Sequence, residues 1–229
     1  YTLLGPYFTH TAAAEFEPQE VPEDDTPINN SIRSLRSQGL KVYYGHWLIT
    51  GKPKIILFNL DSVYHQIDAI KGRIWENHRI STLGVEELVN QTIAFGEMVR
   101  LFITQLALEN KSKKEIIVHF HEWMASTCLP DLRKDKVKIS TVFTTHATML
   151  GRYLAGNVPN FYEVIDQFDW LKEAKHYGIE AQVSFERAAA QKANVLTTVS
   201  DITAKECQYF LGRIPELILP NGLNIQRFA

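Results

Sequence analysis

The feature that most narrows the fold is a series of β-rich segments alternating with helical ones in the second half of the chain. Glu115–Phe120, Ile139–Thr144 and Val195–Val199 are short apolar runs, and helical signals fill the gaps from about Trp123 and over Ala147–Lys192. Strands that alternate with helices need crossover connections, and right-handed crossovers produce a mainly parallel sheet, so the expected class is α/β. In such sheets chemistry collects where strands run out. The stretch Ile116 to Arg152 puts His119, His121, Glu122, His146 and Arg152 at such ends.

The flanking segments fit the same plan. Ser200 caps a helix expected to run through Leu211, with Asp201 in its first turn and Gly212 as its stop. Glu216–Leu219 reads as a last short strand, followed by the turn Pro220-Asn221-Gly222. Upstream, Tyr1–Gly5 reads as a strand, the acidic Glu15–Asn30, without periodicity, as a surface loop or a partly ordered insertion, and Ser31–Gln38 as a short helix ended by Gly39. Leu40–Ile49 and Lys54–Leu60 are β-rich runs around the turn Thr50–Pro53, placed either as a hairpin or apart in the sheet. Val89, Ile93, Val99, Ile103 and Leu106 recur at helical spacing within Glu86–Glu109, the longest helix expected.

Charge and cysteine usage exclude several classes. Lys+Arg 24 against Asp+Glu 26 leaves a net charge of -2, and the short basic run Lys111–Lys114 suits a solvated loop, so nothing points to nucleic acid. Cys128 and Cys207 lie far apart, each in an expected helix, which fits buried reduced thiols. No apolar run reaches the roughly 18 residues of a membrane span, and the chain does not start like a signal peptide, so a soluble, cytoplasmic protein is expected.

Among the residues that could carry chemistry, His119 and His121 share one strand face. A His-x-His pair can supply two metal ligands, yet no third ligand has typical spacing. Lining of a sugar site by His, Glu122 and Trp123 is the stronger alternative, because together they offer donors, an acceptor and a flat apolar face. Thr144-Thr145-His146-Ala147-Thr148 closes the next strand, and Arg152 follows at a helix start. A His and an Arg at one crevice can bind a sugar hydroxyl and neutralise a phosphate leaving group. Phosphate-loop motifs and a G-x-S-x-G elbow are absent, and Cys128 has no evident base partner. In Glu186-Arg187-Ala188-Ala189-Ala190 the alanines suit close helix packing.

With these residues in view, HFHEW, VFTTHATMLGRYLAG, FERAAAQKANVLTTVSDITAKE and LPNGLNIQRF resemble the N-terminal half of animal and fungal glycogen synthases. The resemblance continues through YTLLGPY, KVYYGHWLI and IKGRIWEN and covers nearly the whole chain. It implies a Rossmann-like three-layer domain, residues 1–229, that forms the acceptor side of a two-domain glycosyltransferase. The implied reaction moves glucose from UDP-glucose to the 4-OH end of a glycogen or maltooligosaccharide chain with retention, without metal or other cofactor.

By the same resemblance His146 faces the transferred glucose and Arg152 the donor phosphates, as the catalytic pair. His121 and Glu122 line or support the acceptor side, Thr145 is a further substrate-binding residue, and Asn221 with Gly222 approaches the interdomain hinge. The family's first strand and its donor-binding C-terminal domain are missing from this stretch, so the segment alone is expected to be inactive. Partners implied are that C-terminal domain, the glucan and a homo-oligomer of the full-length protein. The alternative is a stand-alone glucan-binding or regulatory module.

Overall fold

Strand pairing in the computed structural model, which describes residues 1–222, sorts eight strands into two four-stranded sheets. Each sheet belongs to its own compact unit. One unit comprises Tyr1–Ile116 with Asp131–Ile139, the other Ile117–Pro130 with Ser140–Ala229. The end of the LPNGLNIQRF motif, residues 223–228, lies outside the described residues.

In the first unit the chain runs β1 (Thr2–Pro6), α1 (Thr9–Glu15), β2 (Phe16–Pro18), α2 (Pro27–Ser37), β3 (Val42–Trp47), β4 (Lys54–Phe58), α3 (Asp61–Tyr64), α4 (Ile67–His78) and α5 (Glu87–Glu109). The sheet order is β1-β4-β3-β2. β3 and β4 form an antiparallel hairpin with Val42 opposite Phe58, while β1 runs parallel to β4. Gly45 in β3 permits the close approach of β2, since an added Cβ would overlap the Glu17 carbonyl. The expected loop Glu15–Asn30 is shorter than its composition implies. Phe16–Pro18 pairs with β3, and α2 starts at Pro27, where the Thr26 hydroxyl accepts the Asn29 N–H at 3.3 Å. Thr followed by Pro is a helix start signal, and it overrides the acidic, proline-rich composition around it.

Helix α5 follows its periodicity, with Val89, Ile93, Val99 and Ile103 buried. Its buried Glu97 accepts from Arg100 and from Arg73 of α4. Arg73 also meets Asp131, which takes the His78 imidazole at 2.7 Å. Asp131 sits on α7 (Leu129–Lys134), and the ion network ties this part of α7 to α4 and α5.

The second unit contains β5 (Ile117–His121), α6 (Glu122–Ser126), β6 (Ser140–Thr145), α8 (Met149–Asn157), α9 (Trp170–His176), α10 (Glu180–Lys192), β7 (Val195–Thr198), α11 (Asp201–Glu206) and β8 (Leu217–Ile218). Its strands lie in the order β5-β6-β7-β8, all parallel, so their C-terminal ends share one edge. Leu150, Leu154, Phe161, Ile165, Val183 and Phe210 build a core beneath that edge, and the fully buried Ala189 and Ala190 bring α10 in close. The helix expected from Ser200 to Leu211 is capped as anticipated, the Ser200 hydroxyl accepting the Thr203 N–H at 3.2 Å. It changes to a π turn at Cys207–Leu211 before ending at Gly212 with φ +70°. The widened turn frees the Phe210 and Leu211 carbonyls, which Arg187 and Gln191 side chains of α10 satisfy. Among the described residues no helix is long and apolar enough to cross a membrane.

Candidate active site at the strand ends

The pleat of β5 turns Val118 and Phe120 inward and leaves His119 and His121 on the exposed face. Their rings lie 4.1 Å apart, and His146, at the end of the neighbouring strand, is 6.0 Å from His121. His119 Nε2 hydrogen-bonds Thr144 Oγ1 at 2.7 Å, and Thr144 meets Thr197 at 2.5 Å, a polar relay across β5, β6 and β7. Burial, then the neighbouring imidazoles, hold both His119 and His121 below the ordinary histidine range. Neutral rings can exchange hydrogen bonds with sugar hydroxyls without carrying a charge. Among the described residues no group of three or more His, Cys, Asp or Glu is arranged to hold a metal ion.

Glu122 follows His121 and has φ +64°, a left-handed conformation that costs a residue with a Cβ roughly 1–2 kcal/mol. This backbone swings the carboxylate to β6, where Oε1 accepts the His146 N–H at 2.8 Å. The same oxygen lies 3.7 Å from Arg152 Nη2, on the first turn of α8. Arg152 remains half exposed, with 54% of its side chain accessible. His146, Arg152, His121 and Glu122 are thus brought together as expected from their placement at strand ends.

The other expected site residues fall elsewhere. Thr145 is fully buried beneath the turn, its hydroxyl engaged with Glu186 Oε1 at 3.1 Å and the Ala147 carbonyl at 3.2 Å. Asn221 and Gly222 are exposed in the segment after β8, on the same sheet edge but two strands removed from β6.

Two residues that sequence reasoning missed lie under the site. Glu186 of α10 accepts the Met149 N–H at 2.9 Å, and burial pushes its carboxyl up to about 8 despite that bond. Glu206 at the end of α11 accepts the Thr148 N–H at 3.0 Å, the Thr148 hydroxyl at 2.9 Å and the Tyr162 hydroxyl at 2.9 Å. An acid among small apolar residues at helical spacing, as in 186–190, was the available signal.

The glycogen synthase family model matches residues 1–229. The chain is 39% identical over 229 residues to glycogen (starch) synthase of Neurospora crassa and 42% identical over 236 residues to isoform 1 of Saccharomyces cerevisiae. It is 38% identical over 229 residues to the liver enzyme of Rattus norvegicus. Each alignment covers 100% of this chain but 32–33% of the relative, so the chain spans about a third of the length of the curated relatives it matches. A match over every residue, together with a polar cluster at the strand ends where the motifs put it, places the chain in the glycogen synthase family.

Proposed function

We propose that this chain supplies the acceptor-side wall of a cytoplasmic enzyme that transfers glucose from UDP-glucose to the 4-OH end of a glycogen chain with retention. Family membership supports the reaction class, and one observation carries the site: Glu122 joins the turn of His146 to the guanidinium of Arg152. Departure of UDP leaves negative charge on a diphosphate and positive charge on the sugar. Arg152, half exposed and 3.7 Å from Glu122, can turn its guanidinium toward that diphosphate. His146, on a turn held from several sides, offers a ring or carbonyl to the glucose.

Donor binding is assigned to a second Rossmann-like domain, and the segment 1–229 alone is expected to be inactive. Metal plays no part in this reading, because Arg152 and fixed dipoles take over the stabilisation of the leaving group. The test is glucose incorporation into glycogen by the protein encoded by the whole gene, with UDP-glucose and ADP-glucose as rival donors. Transfer from UDP-glucose that falls steeply in Arg152→Ala supports the reading. Absence of transfer, or an Arg152→Ala variant with unchanged rate, sinks it.

A further inference from the structure

The turn that carries His146 is built in an unusual way. Three of its backbone N–H groups are donated to carboxylates: His146 to Glu122, Thr148 to Glu206 and Met149 to Glu186. These acids come from α6, α11 and α10, so three separate elements converge on one short loop. The carbonyls are held as well, Thr145 O by the Thr198 hydroxyl at 2.9 Å and His146 O by the Thr203 hydroxyl at 3.4 Å. Glu186 is fully buried and Glu206 is 3% exposed, so neither belongs to the surface a substrate would touch.

We propose that Glu186 and Glu206 are positioning residues for glucose transfer, acting through the Thr145–Met149 turn to fix His146. The proposal rests on the function proposed above. Burying two acids side by side is costly, and a neutral scaffold could close a turn more cheaply. What each acid provides is two oxygens, one accepting a backbone N–H and the other exchanging a hydrogen bond with a hydroxyl, for groups that a loop cannot satisfy internally.

Gly151 supplies independent geometry. A Cβ at this position would overlap the Glu206 carboxylate and reach 2.6 Å from Thr148 Oγ1, so any side chain there pushes the acid off the turn. Gly151 N–H itself donates to Thr148 Oγ1 at 3.0 Å.

Position can be separated from charge. Glutamine at 186 keeps an oxygen for Met149 N–H, and its amide can donate to Thr145 Oγ1, whose own hydrogen turns to the Ala147 carbonyl. At 206 the glutamine oxygen serves Thr148 and the amide donates to Tyr162. Alanine at either place removes the acceptors altogether.

The experiment measures kcat, KM for UDP-glucose and the folded fraction for the protein encoded by the whole gene, carrying Glu186→Ala, Glu186→Gln, Glu206→Ala, Glu206→Gln or Gly151→Ala. Misplacement of a reacting group by about 1 Å can lower a rate about 100-fold. The alanine variants and Gly151→Ala are expected to lose about this much kcat per folded molecule with KM little changed, and the glutamine variants to recover most of it. If an alanine variant does not fold, Gly151→Ala and the glutamine variants decide. Losses that vanish on normalising to folded protein, or glutamine variants as poor as Gly151→Ala, overturn the proposal. A wild-type protein that transfers no glucose overturns it together with the reading beneath it, whereas an active wild type with unaffected variants overturns it alone.

Discussion

Glu122 Oε1 accepts the backbone N–H of His146 at 2.8 Å and, from the same atom, faces Arg152 Nη2 at 3.7 Å. One carboxylate therefore sets both the turn of the imidazole and the reach of the cation. Its backbone sits at φ +64°, and strain held at such a place is a recurring mark of functional sites. Glu122→Ala is expected to lower kcat for glucose transfer about 100-fold, because the turn loses its acceptor and the guanidinium its counter-charge. Glu122→Gln keeps the N–H acceptor but not the charge, so its loss should be smaller. Steady-state rates of the two variants in the protein encoded by the whole gene check this, and equal losses would mean that the charge alone matters.

Part of this arrangement was legible from sequence and part was not. His119 and His121 share a face because the strand period is two, and that follows from the chain locally. Ser200 and Gly212 bound their helix for equally local reasons, a side-chain cap and a left-handed stop. The acidic stretch after Glu15 misleads because its composition conceals the Thr26-Pro27 start signal and a strand pair with Trp47 that is remote in sequence. Glu186 and Glu206 lie 37 and 58 residues from the N–H groups they accept, and no local pattern encodes such a meeting.

Asp131 gives a stability prediction in the first unit. Burial raises its carboxyl, but the His78 hydrogen bond, the Arg73 charge and the Asn77 amide outweigh it and hold the group at about 2. The unfolded value is near 3.8, so the unfolded chain binds the proton first as pH falls. Stability from this group is complete above about pH 4 and is lost as pH drops through about 2. A difference of this size corresponds to about 2 kcal/mol. Asp131→Asn should cost roughly that amount at pH 7, read by urea unfolding, and its penalty should shrink between pH 4 and 2.

Cys128 and Cys207 are both buried, and burial together with Glu186 and Glu206 pushes the Cys207 thiol well above its usual range. The thiolate is the reactive form. An aromatic disulfide reagent at pH 8 should therefore leave Cys207 unlabelled in the folded protein and label it after denaturation. Rapid labelling of Cys207 in the native state would contradict its burial beneath the site.

Glu186 gives the opposite pH signature to Asp131. Burial raises its carboxyl from about 4.5 to about 8, with Glu122 and Glu206 adding to the rise against the bonds from Met149 and Thr145. Between these values the folded protein holds a proton that the unfolded chain has released. Stability is therefore greatest below about pH 4.5 for this group and falls as pH rises through about 8. Glutamine cannot ionise, so Glu186→Gln should remove that fall. Thermal midpoints of wild type and Glu186→Gln, taken from pH 5 to pH 9, should diverge in favour of the variant as pH rises. Parallel curves would mean that the buried acid does not change its protonation across this range.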